Sequence, residues 1–169
     1  MMRMAGSVLL FLSFAWLGLH AARELRRKTA LLEELLAAVE QLRRELDQSL
    51  TPLPELLEGI GTNSGVELNR FFRTCAQRAR KPDPSFAAGW NEALEILRQD
   101  LDERTQRCMQ KLGNGLGRYD VEAEGRLLSA AEEELRECLS QRREYGGQRC
   151  KLYRTLGMTA GAVCLILCW

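Results

Sequence analysis

The segment TALLEELLAAVEQLRREL, residues 29–46, decides the fold class. Its apolar residues recur at steps of three and four positions: Leu32, Leu35, Val39, Leu42 and Leu46. Side chains at that spacing share one face of an α-helix, and charged residues occupy the other face here. The segment therefore predicts an amphipathic helix. It should continue without a break from the apolar sequence before it, because positions 21–49 contain neither Pro nor Gly.

Local boundary signals divide the next part of the chain into two helices. Thr51 as cap and Pro52 at the first helical position predict a short helix through Leu57, followed by a loop over residues 59–65. Ser64 and Glu67 have the spacing of a capping box. We expect that box to start a helix that ends near residue 80.

Three further helices are expected after the KPDP stop at residues 81–84. One starts at Ser85 and spaces its apolar residues by three and four as far as position 101. Asp100 or Asp102 caps the next, which reaches residue 116. Gly117 suits the left-handed position after it, and Asp120 suits the cap of the last helix. The sequence thus predicts an all-α antiparallel bundle of about six helices.

The N-terminal apolar run, residues 4–22, has no full charge over a length that crosses roughly 30 Å of hydrocarbon as a helix. A basic cluster follows at once: Arg23, Arg26, Arg27 and Lys28. We predict an N-terminal transmembrane helix over residues 1–22. A cleaved signal peptide is the alternative, although its positive charge should precede the apolar run.

The C-terminal apolar run is shorter. Residues 155–169 carry no charge and make only about 22 Å of helix. With Lys151 and Arg154 extending toward headgroups, residues 152–169 are predicted as a C-terminal transmembrane or membrane-inserted helix. A packed core helix is the alternative. Because basic residues favour the cytoplasmic side at both ends, the bundle of residues 23–151 should be cytoplasmic.

Composition argues against several functions. All 23 acidic residues and 23 of the 24 basic ones lie between positions 23 and 154, so the middle is balanced in charge, and no nucleic-acid partner is expected. The stretch GNGLG at residues 113–117 lacks the Lys of a phosphate loop. Six cysteines without a CxxC pair, and a single His, favour reduced apolar thiols over a metal site. The three glutamates at 132–134 are expected on a solvated helix face. We predict no enzyme, cofactor, metal or small-molecule substrate.

One face of the helix predicted to end near residue 80 is basic and carries the candidate partner-binding residues Arg70, Arg73, Arg80 and Lys81. No acidic residue lies between Glu67 and Asp83. This face could meet an acidic protein surface or anionic headgroups, or it could simply be solvated.

Several motifs together resemble the stage III sporulation protein AB family over nearly the whole chain. They are WLGLHAARELRRK at 16–28, TPLPELLEGI at 51–60, FF at 71–72, FAAGWNEAL at 86–94, LGNGLGRYDVEAEGRLL at 112–128 and KLYRTLGMTAGAVCLILCW at 151–169. The six cysteines and the short final segment depart from the usual pattern of the family.

The resemblance implies a membrane component of the sporulation channel between mother cell and forespore. Its cytoplasmic domain should be similar to the helical domain of the type II secretion platform protein. It should act as a scaffold beside other channel subunits and a cytosolic secretion-type ATPase, in the mother-cell membrane that faces the forespore. A secreted, disulfide-linked helical binding protein with a cleaved leader is the alternative function.

Overall fold

The structure is a computed structural model that describes residues 2–48, 51–81, 86–117 and 121–167, with side chains at positions 16, 20 and within 23–145. Within these ranges every regular element is helical. The six α-helices are α1 (Met2–Gln48), α2 (Leu53–Thr62), α3 (Val66–Ala79), α4 (Phe86–Leu94), α5 (Glu103–Gly115) and α6 (Val121–Leu167). The prediction of an all-α fold with about six helices is confirmed.

The chain forms two compact units. One comprises residues 30–140, and the other comprises residues 1–29 together with 141–169. Helices α1 and α6 each contribute to both units. The predicted boundaries at positions 22 and 151 separate membrane segments from the bundle and are not boundaries between compact units. That division of the chain stays a prediction.

The apolar ladder of α1 forms one side of the core of unit 30–140. Leu32, Leu35, Val39 and Leu42 are almost fully buried, and Leu46 packs at the edge of the same cluster. Burial of each such side chain contributes roughly 1.5–3 kcal/mol relative to exposure. The helix that the spacing predicted is therefore held mainly by its packing.

An aromatic cluster joins α3, α4 and α5. The ring of Trp90 meets that of Phe71 edge-on at 5.0 Å, and Phe71 meets Phe72 at 4.9 Å. Trp90 Nε1 donates a hydrogen bond of 2.8 Å to the carbonyl of Met109. Because a buried indole N–H needs an acceptor, this bond fixes the ring against α5.

Gly113 explains part of the GNGLG stretch. A Cβ at this position would lie 2.0 Å from Trp90 Cδ1, so only glycine lets the indole ring approach α5 this closely. At Gly115 an added Cβ would lie 2.4 Å from Leu127 Cδ2, so the end of this leucine would have to shift. These glycines are packing positions inside and at the end of a helix.

The predicted loop over residues 59–65 is wrong in its first half, because α2 continues to Thr62. The predicted capping box is also wrong. The Ser64 hydroxyl donates to the carbonyl of Ile60 at 2.8 Å, and Gly65 takes the N-cap position of α3. The backbone N–H of Gly65 donates to the carboxylate of Glu34 on α1 at 3.1 Å. A carboxylate from another helix thus lies at the start of α3.

The helix predicted from Ser85 to position 101 is shorter than expected. Helix α4 ends at Leu94 and continues only as a 3-10 turn, Glu95–Leu97, although Leu97 and Leu101 are buried as the spacing predicted. Asp102 precedes α5 as predicted. Gly117 has a φ of +75°, which confirms its left-handed conformation. The predicted cap Asp120 lies outside the described residues.

Helix α6 runs without interruption through Gly146 and Gly147 to Leu167. Among the residues described, no helix combines the length and apolar character that a membrane crossing demands.

Candidate partner surface

Helix α3 has one buried and one exposed face. Its buried face holds Leu68, Phe71, Phe72, Cys75 and Ala76 in the core. The exposed face follows steps of four, three and four residues from Val66 through Arg70 and Arg73 to Gln77. We call these residues, together with the exposed Lys81 two positions beyond the end of the helix, the α3 stripe. The packing of the aromatic pair therefore fixes the direction in which the stripe faces.

The cations of the α3 stripe differ from the neighbouring arginines in their ion pairing. Arg70, Arg73 and Lys81 form no ion pair with any side chain in the described ranges. Two other arginines of the same region are paired. Arg78 binds Glu92 at 2.5 Å, and Arg80 contacts Glu58 of α2. The structure thus places three of the four predicted residues on one stripe and directs Arg80 to Glu58.

Val66 is the residue of this surface that sequence reasoning missed. Its side chain is 83% exposed at the start of the α3 stripe, four residues before Arg70. The available signal in the sequence was a β-branched residue at the same helical spacing as the basic positions. The stripe therefore combines an apolar end with cationic side chains, and both features favour contact with a protein.

The unit that carries the α3 stripe is acidic overall. Residues 30–140 contain fourteen Lys and Arg against 21 Asp and Glu, a net charge of −7. The other unit contains ten Lys and Arg against two Glu, a net charge of +8. The balance predicted for the middle of the chain thus conceals two oppositely charged units. The α3 stripe is a local basic surface on the acidic unit.

The predicted membrane-boundary residues of α1 lie in the basic unit. Arg23 and Arg26 are exposed and form no ion pair with a described side chain. Arg27 contacts Glu24 at 3.4 Å, and Lys28 contacts the same carboxylate at 3.8 Å. The side chains of the two remaining predicted residues, Lys151 and Arg154, lie outside the described part of the structure.

Glu132 corrects another expectation. The run of glutamates at 132–134 is predicted as a solvated helix face, but Glu132 is only 3% exposed. It accepts a 2.7 Å bond from Arg43 Nε on α1, because the helix turns this one position of the three toward its neighbour. Arg136 adds a 2.7 Å contact with Glu40 one turn later. These pairs join α1 to α6 within unit 30–140.

The described cysteines are Cys75, Cys108 and Cys138, and all three are buried and unlinked. Burial raises the pKa of each thiol, that of Cys108 to about 12. A thiol that stays protonated at neutral pH is a poor nucleophile and a poor metal ligand. Within the described residues no group of His, Cys, Asp and Glu could hold a metal ion. The side chains of Cys150, Cys164 and Cys168 lie outside the described part of the structure.

Comparison with known proteins places this fold in a family. The model of the family described as stage III sporulation protein AB matches residues 3–169. The chain belongs to the stage III sporulation protein AB family. This confirms the resemblance drawn from the motifs and supports a role related to sporulation.

A solved structure of a protein named "Stage III sporulation protein AB (SpoIIIAB)" is similar to this chain. It aligns with a TM-score of 0.63 over 69% of this chain and 94% of that chain, at 18% identity. At that identity the match shows a shared fold. No curated protein matches the chain.

Proposed function

We propose that this protein is a membrane-anchored scaffold subunit of a secretion-like channel in endospore formation. Its unit 30–140 would lie in the cytoplasm of the mother cell and dock a cytosolic ATPase or ring component of the channel through the α3 stripe. Membership of the family supports the sporulation role. The docking surface is our own assignment.

The observation that carries this proposal is that the cations of the α3 stripe form no ion pair with a described side chain. Arg70, Arg73 and Lys81 are exposed without ion pairs among the described residues, on a unit whose net charge is −7. Long cationic side chains gain most from an acidic partner when no carboxylate of their own chain neutralises them. An acidic partner would be attracted to this stripe and repelled by most of the surrounding surface.

Membrane attachment is a second part of the proposal. It rests on the uncharged ends of the sequence, residues 4–22 and 155–169, and on the basic residues beside them. The terminal unit has a net charge of +8, which suits a location beside anionic headgroups on the cytoplasmic side. The two ends would anchor the chain in the membrane.

We also propose that the protein has no catalytic activity of its own. The three described thiols are buried with raised pKa values, and buried or interhelical polar contacts such as Arg43–Glu132 and Arg136–Glu40 join helices to one another. Its contribution to the channel would be the position at which it holds a partner.

Site-specific photocrosslinking in sporulating cells tests the docking surface. Gln77 is exposed between Arg73 and Lys81, so a photoreactive residue at this position leaves the charges of the stripe intact. Gln110, exposed on α5, is the matched control position. We expect Gln77, and not Gln110, to capture a cytosolic ATPase or another channel subunit.

Charge reversal gives the contrary test. The double variant R70E/R73E should abolish the crosslink from position 77 without lowering the amount of membrane-bound protein. Equal capture from positions 77 and 110, or a crosslink that survives the reversal, would contradict docking through this stripe.

A further inference from the structure

The terminal unit concentrates positive charge to a degree that the protein as a whole does not show. Ten of the 24 Lys and Arg residues fall in its 58 positions, with only Glu24 and Glu144 to oppose them. Where side chains are described, Arg23 and Arg26 have no acidic partner. Positive charge that the protein leaves unneutralised is available to an anionic ligand.

Four of the exposed side chains that the structure describes on α1 in this unit form a row, and the exposed carboxylate of Glu24 lies beside it and contacts Arg27. Trp16, His20, Arg23 and Arg27 are all exposed and follow steps of four, three and four residues, with Arg26 beside Arg23. The row therefore lies along one face of the helix over about 16 Å. Trp16 is 76% exposed, which is unusual for a large aromatic side chain. An amphipathic aromatic ring at one end and arginines at the other match the gradient from acyl chain to headgroup.

Helix α6 adds cations at the same level. Arg142 Nη1 donates a 3.2 Å hydrogen bond to the backbone carbonyl of Lys28, although 114 positions separate the two residues. Arg143 follows as an exposed side chain. The contact brings basic residues from both ends of the chain to one level of the helix pair, which the sequence alone could not reveal.

We propose that these basic residues, which α1 and α6 bring to one level of the helix pair, bind the phosphate headgroup of an anionic phospholipid. Arg23 and Arg26 would contact the phosphodiester oxygens, since guanidinium groups donate in pairs to phosphate. Trp16 would lie beside the glycerol and upper acyl region of the same lipid. We assign a lipid and not a free phosphate ion as the ligand, because Trp16 would contact the apolar part of a lipid and would contribute nothing to the binding of free phosphate. The proposal rests on the membrane location proposed above.

Lipid retention by the full-length chain provides the test. The protein is purified in non-ionic detergent and titrated with phosphatidylglycerol or phosphatidylcholine, and bound lipid is counted by native mass spectrometry. We expect preferential retention of phosphatidylglycerol. The variant R23Q/R26Q should bind it about 25-fold more weakly, because each basic side chain at an anionic surface contributes about fivefold.

A matched control removes the same charge elsewhere. K111Q/R126Q also replaces two exposed basic residues that form no ion pair with a described side chain, but in the other unit, and its phosphatidylglycerol affinity should equal that of the unaltered protein. R23K/R26K keeps the charge but loses the paired guanidinium donors, so its affinity should fall between that of R23Q/R26Q and that of the unaltered protein, which separates headgroup binding from a change in folding or topology. Equal losses in both glutamine variants would mean a general charge effect and overturn the proposal.

Two further outcomes are decisive. Millimolar inorganic phosphate should not displace the bound lipid; if it does, the site takes free anions and the lipid assignment is wrong. Fractionation of the producing cells separates this inference from the proposed function. Protein that is membrane-bound but retains both lipids equally contradicts only the headgroup site, whereas soluble protein contradicts the membrane location itself.

Discussion

Replacement of Gly113 by Ala should destabilise unit 30–140 more than its chemistry suggests. The new methyl group would lie 2.0 Å from Trp90 Cδ1, 2.3 Å from Cγ and 2.5 Å from Nε1. The indole ring cannot retreat easily, since it is fully buried against Phe71 and bonded to the carbonyl of Met109. Either the ring or helix α5 must move.

The magnitude follows from three contributions. Overpacking a core costs about 1–3 kcal/mol, and a displaced indole that loses its acceptor costs about 1–3 kcal/mol more. The higher helix propensity of Ala offsets about 1 kcal/mol of this. The free energy of unfolding should therefore fall by about 3 kcal/mol. In urea this lowers the midpoint by about 1.5 M for an m-value near 2 kcal/mol/M.

Pulse proteolysis of the full-length chain across a urea series measures this change. Gly59→Ala is the matched control, because nothing lies within 4 Å of a Cβ at that helical position and the variant should be unchanged or slightly more stable. In a Trp90→Phe background, where the five-membered ring is absent, Gly113→Ala should cost less. Equal midpoints for the Gly113 and Gly59 variants would refute the packing explanation of the GNGLG stretch.

Three other perturbations give separate checks by the same assay. Glu132→Ala should lower the free energy of unfolding by about 2 kcal/mol, because it removes the buried acceptor of Arg43. Glu133→Ala, at the exposed next position, should change it by less than about 0.5 kcal/mol. Similar values for both variants would contradict the burial of Glu132. Gly117→Ala should cost about 1 kcal/mol, since its φ of +75° strains any residue with a Cβ, and no loss would mean that the turn readjusts freely. The pKa of Cys108 is raised by burial from an ordinary value of 9.0 to about 12, so its contribution to stability is complete below pH 9 and is lost as pH rises toward 12. Relative to Cys108→Ala, the free energy of unfolding should fall by up to about 1.4 kcal/mol per pH unit in that window, and parallel pH profiles would show that the thiol is accessible.

Much of the helix content was predictable because the apolar residues of each buried helix face recur at steps of three and four positions. The ladder from Leu32 to Leu46, the buried face of α3 and the left-handed Gly117 all follow from positions a few residues apart. Local rules failed where another helix supplies the partner. Ser64 does not cap α3, and the carboxylate that binds Gly65 comes from Glu34, 31 positions earlier.

The candidate surface shows the same limit. Sequence identified Arg70, Arg73, Arg80 and Lys81 as one basic face, but only the fold shows that Glu58 of α2 contacts Arg80. Sequence also indicated a balanced charge for the middle of the chain. The division into units depends on which parts of α1 and α6 pack with the other helices, and only that packing assigns the charges to an acidic and a basic unit.

The function of the α3 stripe in sporulating cells is the central claim, and heat-resistant spore counts test it most directly. Cells whose only copy of this protein carries R70E/R73E are compared with cells that carry R98E/R107E, in which the replaced arginines are also exposed but pair with Glu95 and Glu103 on their own helical turns. We predict that the first variant loses spore formation while its membrane-bound amount is unchanged, and that the second sporulates normally. Normal spore counts for R70E/R73E would contradict the account.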